Sequence, residues 1–177
     1  KLRIVTVATK YEGYLESLEY TLNGHLDIIG MNMPWNGFIS KLVYLNEYLK
    51  TIPEDTIVVF VDAYDVLFNC TYHSLEELVK EFEKMNTDIL FSCTDFSSYN
   101  IVSYYYTCKM FIGVCGSTLS CNGGLYMGKC KALRLVLNDA LDLASKINEF
   151  DDERLINILL NLNCKIESYA RLKYKHD

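Results

Sequence analysis

Thr56-Ile57-Val58-Val59-Phe60-Val61-Asp62-Ala63-Tyr64-Asp65-Val66-Leu67-Phe68 is the stretch that decides the fold class. Five apolar residues, Ile57–Val61, have the length and β-branched character of a buried strand. Two carboxylates, Asp62 and Asp65, come next, where that strand should end. Buried or half-buried carboxylates are costly without a cationic partner. A divalent ion on a nucleotide phosphate supplies one, because Mg²⁺ or Mn²⁺ takes one or two protein carboxylates and completes its shell with water and phosphate oxygens. An ordinary turn, with Asp62 capping the segment after it, explains D-x-x-D by itself equally well. The apolar run before it favours the cation site.

Around this stretch, strands alternate with helices. Leu2–Ala8 reads as a buried strand, followed by a helix through Tyr14, Leu15, Leu18 and Leu22 that stops at Asn23-Gly24. His25–Gly30 suggests a second strand, Met31–Gly37 a loop, and Ile39–Leu49 an amphipathic helix. Ser74-Leu75-Glu76-Glu77 has capping-box spacing and opens a helix to Lys84, before a strand over Asp88–Cys93. Residues 94–120 are polar and tyrosine-rich, with Tyr104-Tyr105-Tyr106, and carry no regular pattern. We read that insert as a surface for an acceptor or a second subunit. A short strand at Leu125–Met127 and helices over Ala132–Ile147 and Asp152–Leu162 complete the pattern. The expectation is an α/β fold, a mostly parallel sheet with helices on both faces. Ligands in such sheets collect beyond the carboxyl ends of the strands, where Asp62 and Asp65 fall.

With 177 residues, half of them hydrophobic, and two prolines, the chain can bury one substantial core, and we read residues 1–177 as one domain. A net charge of −6 without a lysine or arginine block argues against nucleic-acid or anionic-membrane partners, and no apolar run is long enough to span a bilayer. Seven cysteines show no C-x-x-C pair, so zinc-type spacing is absent; disulfides within Cys108–Cys130 and buried thiols both fit. Asn69-Cys70-Thr71 is a formal glycosylation sequon.

Other candidates have two readings. Asp151-Asp152 can cap the following helix or bind ligand. Asn122-Gly123-Gly124 can be a turn or a place of close ligand approach. Trp35 can be core or an exposed stacking platform, and His176 is read as solvated.

Taken together, Thr6-Val7-Ala8-Thr9 with Glu12-Gly13-Tyr14-Leu15, Trp35-Asn36-Gly37, Lys41, Phe60-Val61-Asp62-Ala63-Tyr64-Asp65-Val66, Leu90-Phe91-Ser92, Gly123-Gly124 and Asp151-Asp152 resemble the glycosyltransferase domain of the multifunctional procollagen lysyl hydroxylases. More distantly, they resemble the collagen galactosyltransferases. The resemblance implies a GT-A fold, a Rossmann-like α/β/α layer that binds a UDP-sugar with Mn²⁺ and moves glucose or galactose to a hydroxyl acceptor, such as hydroxylysine of collagen-like chains. By that match Asp62 and Asp65 hold the metal and ribose-diphosphate, Tyr64 packs on uracil, and Val7, Ala8 and Thr9 line the nucleotide. Lys41 faces phosphate, Trp35 joins the donor site, Asp151 and Asp152 lie near the sugar, and Gly123-Gly124 beneath the acceptor. Asp95 stands one place beyond the family's acidic position, which is Thr94 here. The resemblance also implies a secretory compartment such as the endoplasmic reticulum lumen, the cytoplasm being the alternative without it, and a homo-oligomer is left open. The family's glycine-rich loop after the tryptophan is much shorter here, its H-G-N-G histidine has no counterpart, and Glu153 stands where the family has glutamine. Two rivals fit parts of the pattern. One is a haloacid-dehalogenase-type phosphatase, whose aspartates are spaced D-x-D, and the other a sugar-nucleotide-binding module without turnover.

Overall fold

In the computed structural model the described residues are 1–69, 74–95, 119–163 and 174–176. The elements run β1 (Leu2–Val7), α1 (Leu15–Thr21), β2 (Leu26–Ile29), α2 (Ile39–Leu49), β3 (Ile57–Val61), α3 (Leu75–Lys84), β4 (Ile89–Asp95), β5 (Leu119–Lys129), α4 (Cys130–Ile147), α5 (Asp152–Asn163) and β6 (Tyr174–His176). The strands form one six-stranded sheet in the order β2-β1-β3-β5-β4-β6. β1 pairs in parallel with β2 and β3, and β4 with β6, while β5 runs antiparallel to both β3 and β4. Among the described strands, β5 alone opposes the common direction, as expected for a mostly parallel, Rossmann-like α/β sheet.

The helices cover both faces. Val5, Val7, Val58, Phe60 and Tyr126 pack beneath α2, α4 and α5, where Leu42, Leu45, Leu133, Leu137 and Leu155 meet them. Ile4, Ile57, Val59, Val61 and Met127 face the other way, toward Leu18 of α1, Leu22 just past its end, and Phe82 of α3. All five residues of β3 are buried, which explains why its sequence is uninterrupted rather than alternating. Phe60 stacks on Tyr126 with ring centroids 4.8 Å apart, joining β3 to β5 at the middle of the core. The capping box at Ser74 forms as its spacing predicts, Ser74 Oγ accepting from Glu77 N–H and Glu77 accepting from Ser74 N–H.

The short strand expected at Leu125–Met127 lies in the second half of an eleven-residue strand. Its first half, Leu119–Gly124, has two glycines and no apolar alternation, so it is held by neighbours rather than by propensity. The segment read as patternless correspondingly begins and ends in strand, at Asp95 and Leu119. The tyrosine run, Cys108 and Cys115 lie outside the described residues, as does most of the sequon; Cys121 and Cys130 are buried. His176 belongs to edge strand β6, opposite Phe91.

Phe60→Ala is expected to lower the unfolding free energy by roughly 3–5 kcal/mol, read as a lower urea midpoint at unchanged slope. Exposed Leu135→Ala in α4 should stay within about 0.5 kcal/mol.

Candidate active site

The alternation of β3 places Asp62 on the same face as Val58 and Phe60, over α2, α4 and α5. Its N–H donates to the Gly124 carbonyl at 2.8 Å, extending the β3–β5 ladder one step past Val61 and Leu125. Residues directly opposite in an antiparallel pair share a face and nearly touch. A Cβ on Gly124 would stand 2.5 Å from Asp62 Oδ2, and one on Gly123 3.1 Å from Asp152 Oδ2. Neither glycine has positive φ; both are glycine because carboxylates occupy the space of a side chain.

Lys41 enters from the first turn of α2. Its buried ammonium lies 3.0 Å from Asp62 Oδ1 and 2.9 Å from Asp152 Oδ2, joining the end of β3 to the start of α5. Burial alone would lower the lysine pKa, but Asp152 and Asp62 more than offset it and hold the pKa above the usual value. Burial raises the Asp152 carboxyl, with Lys41 opposing. Beneath them, burial, reinforced by Asp152 and Asp62, pushes the Tyr126 phenol well above its ordinary range. Phe38 adds an exposed ring whose centroid is 5.3 Å from Lys41 Nζ, and Trp35 meets Phe38 edge to face at 6.2 Å. Of the two readings for Trp35, the exposed one holds.

The structure divides the acidic pair. Asp151 is a helix cap, its Oδ1 accepting from Arg154 N–H at 2.8 Å, whereas Asp152 is buried against Lys41. Glu153 Oε2 accepts from Gly123 N–H at 3.1 Å, and burial raises its carboxyl pKa. Asn122 Oδ1 accepts from Gly124 N–H at 2.8 Å. Asp62, Lys41, Phe38, Asn122–Gly124 and Asp151–Arg154 line one cleft of about 470 Å³. A larger cavity of about 540 Å³ lies at the other edge of the sheet, between the start of β1 and α3, away from these groups and from the strands' carboxyl ends.

The residues expected to line a nucleotide sit beside this cleft. The side chains of Val7 and Ala8 are in the core, so only their backbone and half-exposed Thr9 can face a ligand. Tyr64 Oη accepts from Thr9 N–H at 3.2 Å and donates to the Lys10 carbonyl at 3.3 Å, fixing its half-buried ring against the β1–α1 turn. Gly13 serves the same turn: its φ is +61°, and a Cβ there would meet the Tyr64 carbonyl oxygen at 2.8 Å. Asp65 is exposed and outside the cleft lining. Asp95 closes β4 at the same edge of the sheet as Asp62.

Oxygen donors suit a hard divalent cation, and the glycines opposite Asp62 and Asp152 make room for both carboxylates. Among the described residues no group of three His, Cys, Asp or Glu side chains converges. Of the two aspartates expected to hold such a cation, Asp62 lines the cleft and pairs with Lys41, whereas Asp65 lies outside its lining. Sequence reasoning missed Phe38 in the cleft and the anchoring role of Glu153, and met Asn122 only as part of the Asn122-Gly123-Gly124 stretch. For Phe38 the only signal was an aromatic beside Gly37 in a loop.

Because the folded-state pKa of Lys41 is raised, its pairing stabilises the fold fully below the ordinary lysine range and loses that effect as pH rises through the raised value. Lys41→Met should cost roughly 3 kcal/mol near neutrality by leaving Asp62 and Asp152 without a countercharge. The gap in melting temperature between wild type and Lys41→Met should be steady near pH 7 and shrink above about pH 10.

A model of the PLOD GT domain matches residues 1–173. The "Multifunctional procollagen lysine hydroxylase and glycosyltransferase" of Caenorhabditis elegans is 26% identical over 188 residues, covering 94% of this chain and 23% of that protein. The "Multifunctional procollagen lysine hydroxylase and glycosyltransferase LH3" of Rattus norvegicus is 31% identical over 110 residues, covering 54% of this chain and 14% of that protein. The chain thus spans less than a quarter of the length of either relative. Among solved structures, the crystal structure of A197 from STIV overlaps 75% of this chain and 66% of that one, at 11% identity and a TM-score of 0.45. With a match that runs from Lys1 into the last ten residues of the sequence, the chain belongs to the PLOD GT domain family of glycosyltransferase domains.

Proposed function

We propose that this domain transfers a hexose, glucose or galactose, from a UDP-sugar to a hydroxyl acceptor, with hydroxylysine of collagen-like chains as the acceptor. The observation that carries the reading is the Asp62–Lys41–Asp152 triad, set at the carboxyl edge of the sheet against two glycines that make room for its carboxylates. Mn²⁺ held by Asp62 and Asp65 would neutralise the charge that develops on the diphosphate leaving group.

In this account the backbone of Val7–Thr9 and the ring of Tyr64 bind the nucleoside, and Trp35 covers the donor. Lys41 turns part of its charge from Asp62 to the diphosphate, a short movement for an ammonium on a flexible stem. As the anomeric C–O bond to UDP breaks, the acceptor oxygen bonds to the anomeric carbon and its proton leaves to a carboxylate or to solvent. Asp152, buried beside Lys41, stabilises the cationic sugar from a fixed position, and Asp151 and Asp95 are the further carboxylates assigned to the reaction. Asp151 contributes chiefly by capping α5 and so holding Asp152 in place.

One observation favours a second reading, a sugar-nucleotide-binding module without turnover: Lys41 engages both carboxylates of the cleft at once. Mn²⁺-dependent UDP release from a panel of UDP-sugars, with and without a hydroxylysine peptide, separates the two. Transfer should need metal and acceptor, and Asp62→Ala should lower it by roughly 100-fold or more. UDP binding without release would establish the binding module. Release indifferent to both metal and Asp62→Ala would overturn the site assignment.

A further inference from the structure

Four residues of β5, Asn122–Leu125, stand against one residue of β4, since pairing passes from Phe91 opposite Tyr126 to Cys93 opposite Cys121. The glycine pair of the cleft is therefore carried on a bulge, a place where a strand bends and its backbone groups lose their ladder partners. Cys121 is where β5 regains register with β4. Both of its backbone groups bond one side chain: its N–H donates to Asn157 Oδ1 at 2.8 Å, and its carbonyl accepts from Asn157 Nδ2 at 2.9 Å. The carboxamide thus stands in for the peptide of a neighbouring strand. Asn157 Nδ2 also donates to the Glu153 carbonyl at 2.8 Å, so both amide hydrogens are used.

Asn157 is buried on α5, the helix whose first residue is Asp152. Glu153, one turn before it, reaches back to Gly123 N–H. The bulge is thereby held at its base by Asn157 and at its crest by Glu153, both from the helix that pairs Asp152 with Lys41. A buried asparagine on a helix is commonly a plain strut, but a strut needs no link to both walls of a cleft. We propose that Asn157 is a positioning residue: it fixes the spacing between the Gly123-Gly124 backbone and Asp152, and with it the shape of the cleft that takes the hexosyl group. This rests on the transferase reading above. It assigns Asn157 no contact with substrate.

The test compares wild type, Asn157→Ser and Ile156→Ala, the last removing a buried apolar side chain from the same helix. Three quantities are read well below each melting temperature: UDP affinity by calorimetry, kcat with UDP-sugar and hydroxylysine peptide, and amide hydrogen exchange over 121–125. In Asn157→Ser, kcat should fall about ten-fold or more while UDP affinity stays within about three-fold, because the nucleoside is bound from β1 and the β3 turn. Exchange over 121–125 should quicken in Asn157→Ser but not in Ile156→Ala, whatever stability each loses. If Asn157→Ser does not fold, isosteric Asn157→Asp, which keeps the acceptor and loses both donors, gives the same comparison. Unchanged kcat and exchange in a folded Asn157 variant would overturn the proposal, as would equal loss in Ile156→Ala. Wild-type protein without turnover would refute the transferase reading instead, and exchange would still decide the role of Asn157.

Discussion

The cleft depends on one buried ammonium. Lys41 reaches Asp62 and Asp152 from a third element, and without it two carboxylates would face each other across a half-buried space at a cost of several kcal/mol. The constraint spreads outward from there. Asp62 lies on the inner face of β3 because Val58 and Phe60 set the phase, and β5 must be glycine opposite Asp62 because the carboxylate fills the space of a side chain. α5 must begin at Asp152 to deliver the second carboxylate, and Asp151 caps the helix so that it does. One charge balance thus ties together residues from four elements far apart in the chain.

The same balance makes the cleft responsive. Lysine is a flexible point charge whose pairing shifts, in the proposed reading, as a divalent cation or a diphosphate arrives, whereas the walls are fixed by backbone bonds at Gly123, Gly124 and Cys121. Rigid walls around one adjustable charge suit a reaction in which negative charge builds on a leaving group. The exposed rings of Phe38 and Trp35 extend the cleft outward with apolar surface, on the side from which Lys41 enters.

Much of this was legible in the chain. Ile57–Val61 announced a strand buried on both faces, and of the two carboxylates after it Asp62 falls in the cleft while Asp65 does not, because apolar runs are local signals whereas a side chain's neighbours are not. The role of Gly123-Gly124 was legible only as two alternatives, since close approach depends on what stands opposite. Of Asp151-Asp152, only Asp151 takes the capping reading, while Asp152 is buried against Lys41. The length of β5 was hidden because its glycine-rich half is a strand by pairing rather than by propensity. Asn157 left a faint trace, a polar residue inside the apolar run Leu155-Ile156-Asn157-Ile158-Leu159-Leu160. Its partner Cys121 lies 36 residues upstream, a distance no periodicity spans.

The most direct measurement of the triad is a double-mutant cycle on unfolding free energy with Lys41→Met, Asp152→Asn and the two combined. The account predicts that the double variant is more stable than the sum of the single losses implies, by a coupling of roughly 1–3 kcal/mol, because each single change strands the other partner's charge. Additive losses, within about 0.5 kcal/mol, would contradict the claim that this ammonium holds the two walls of the cleft together.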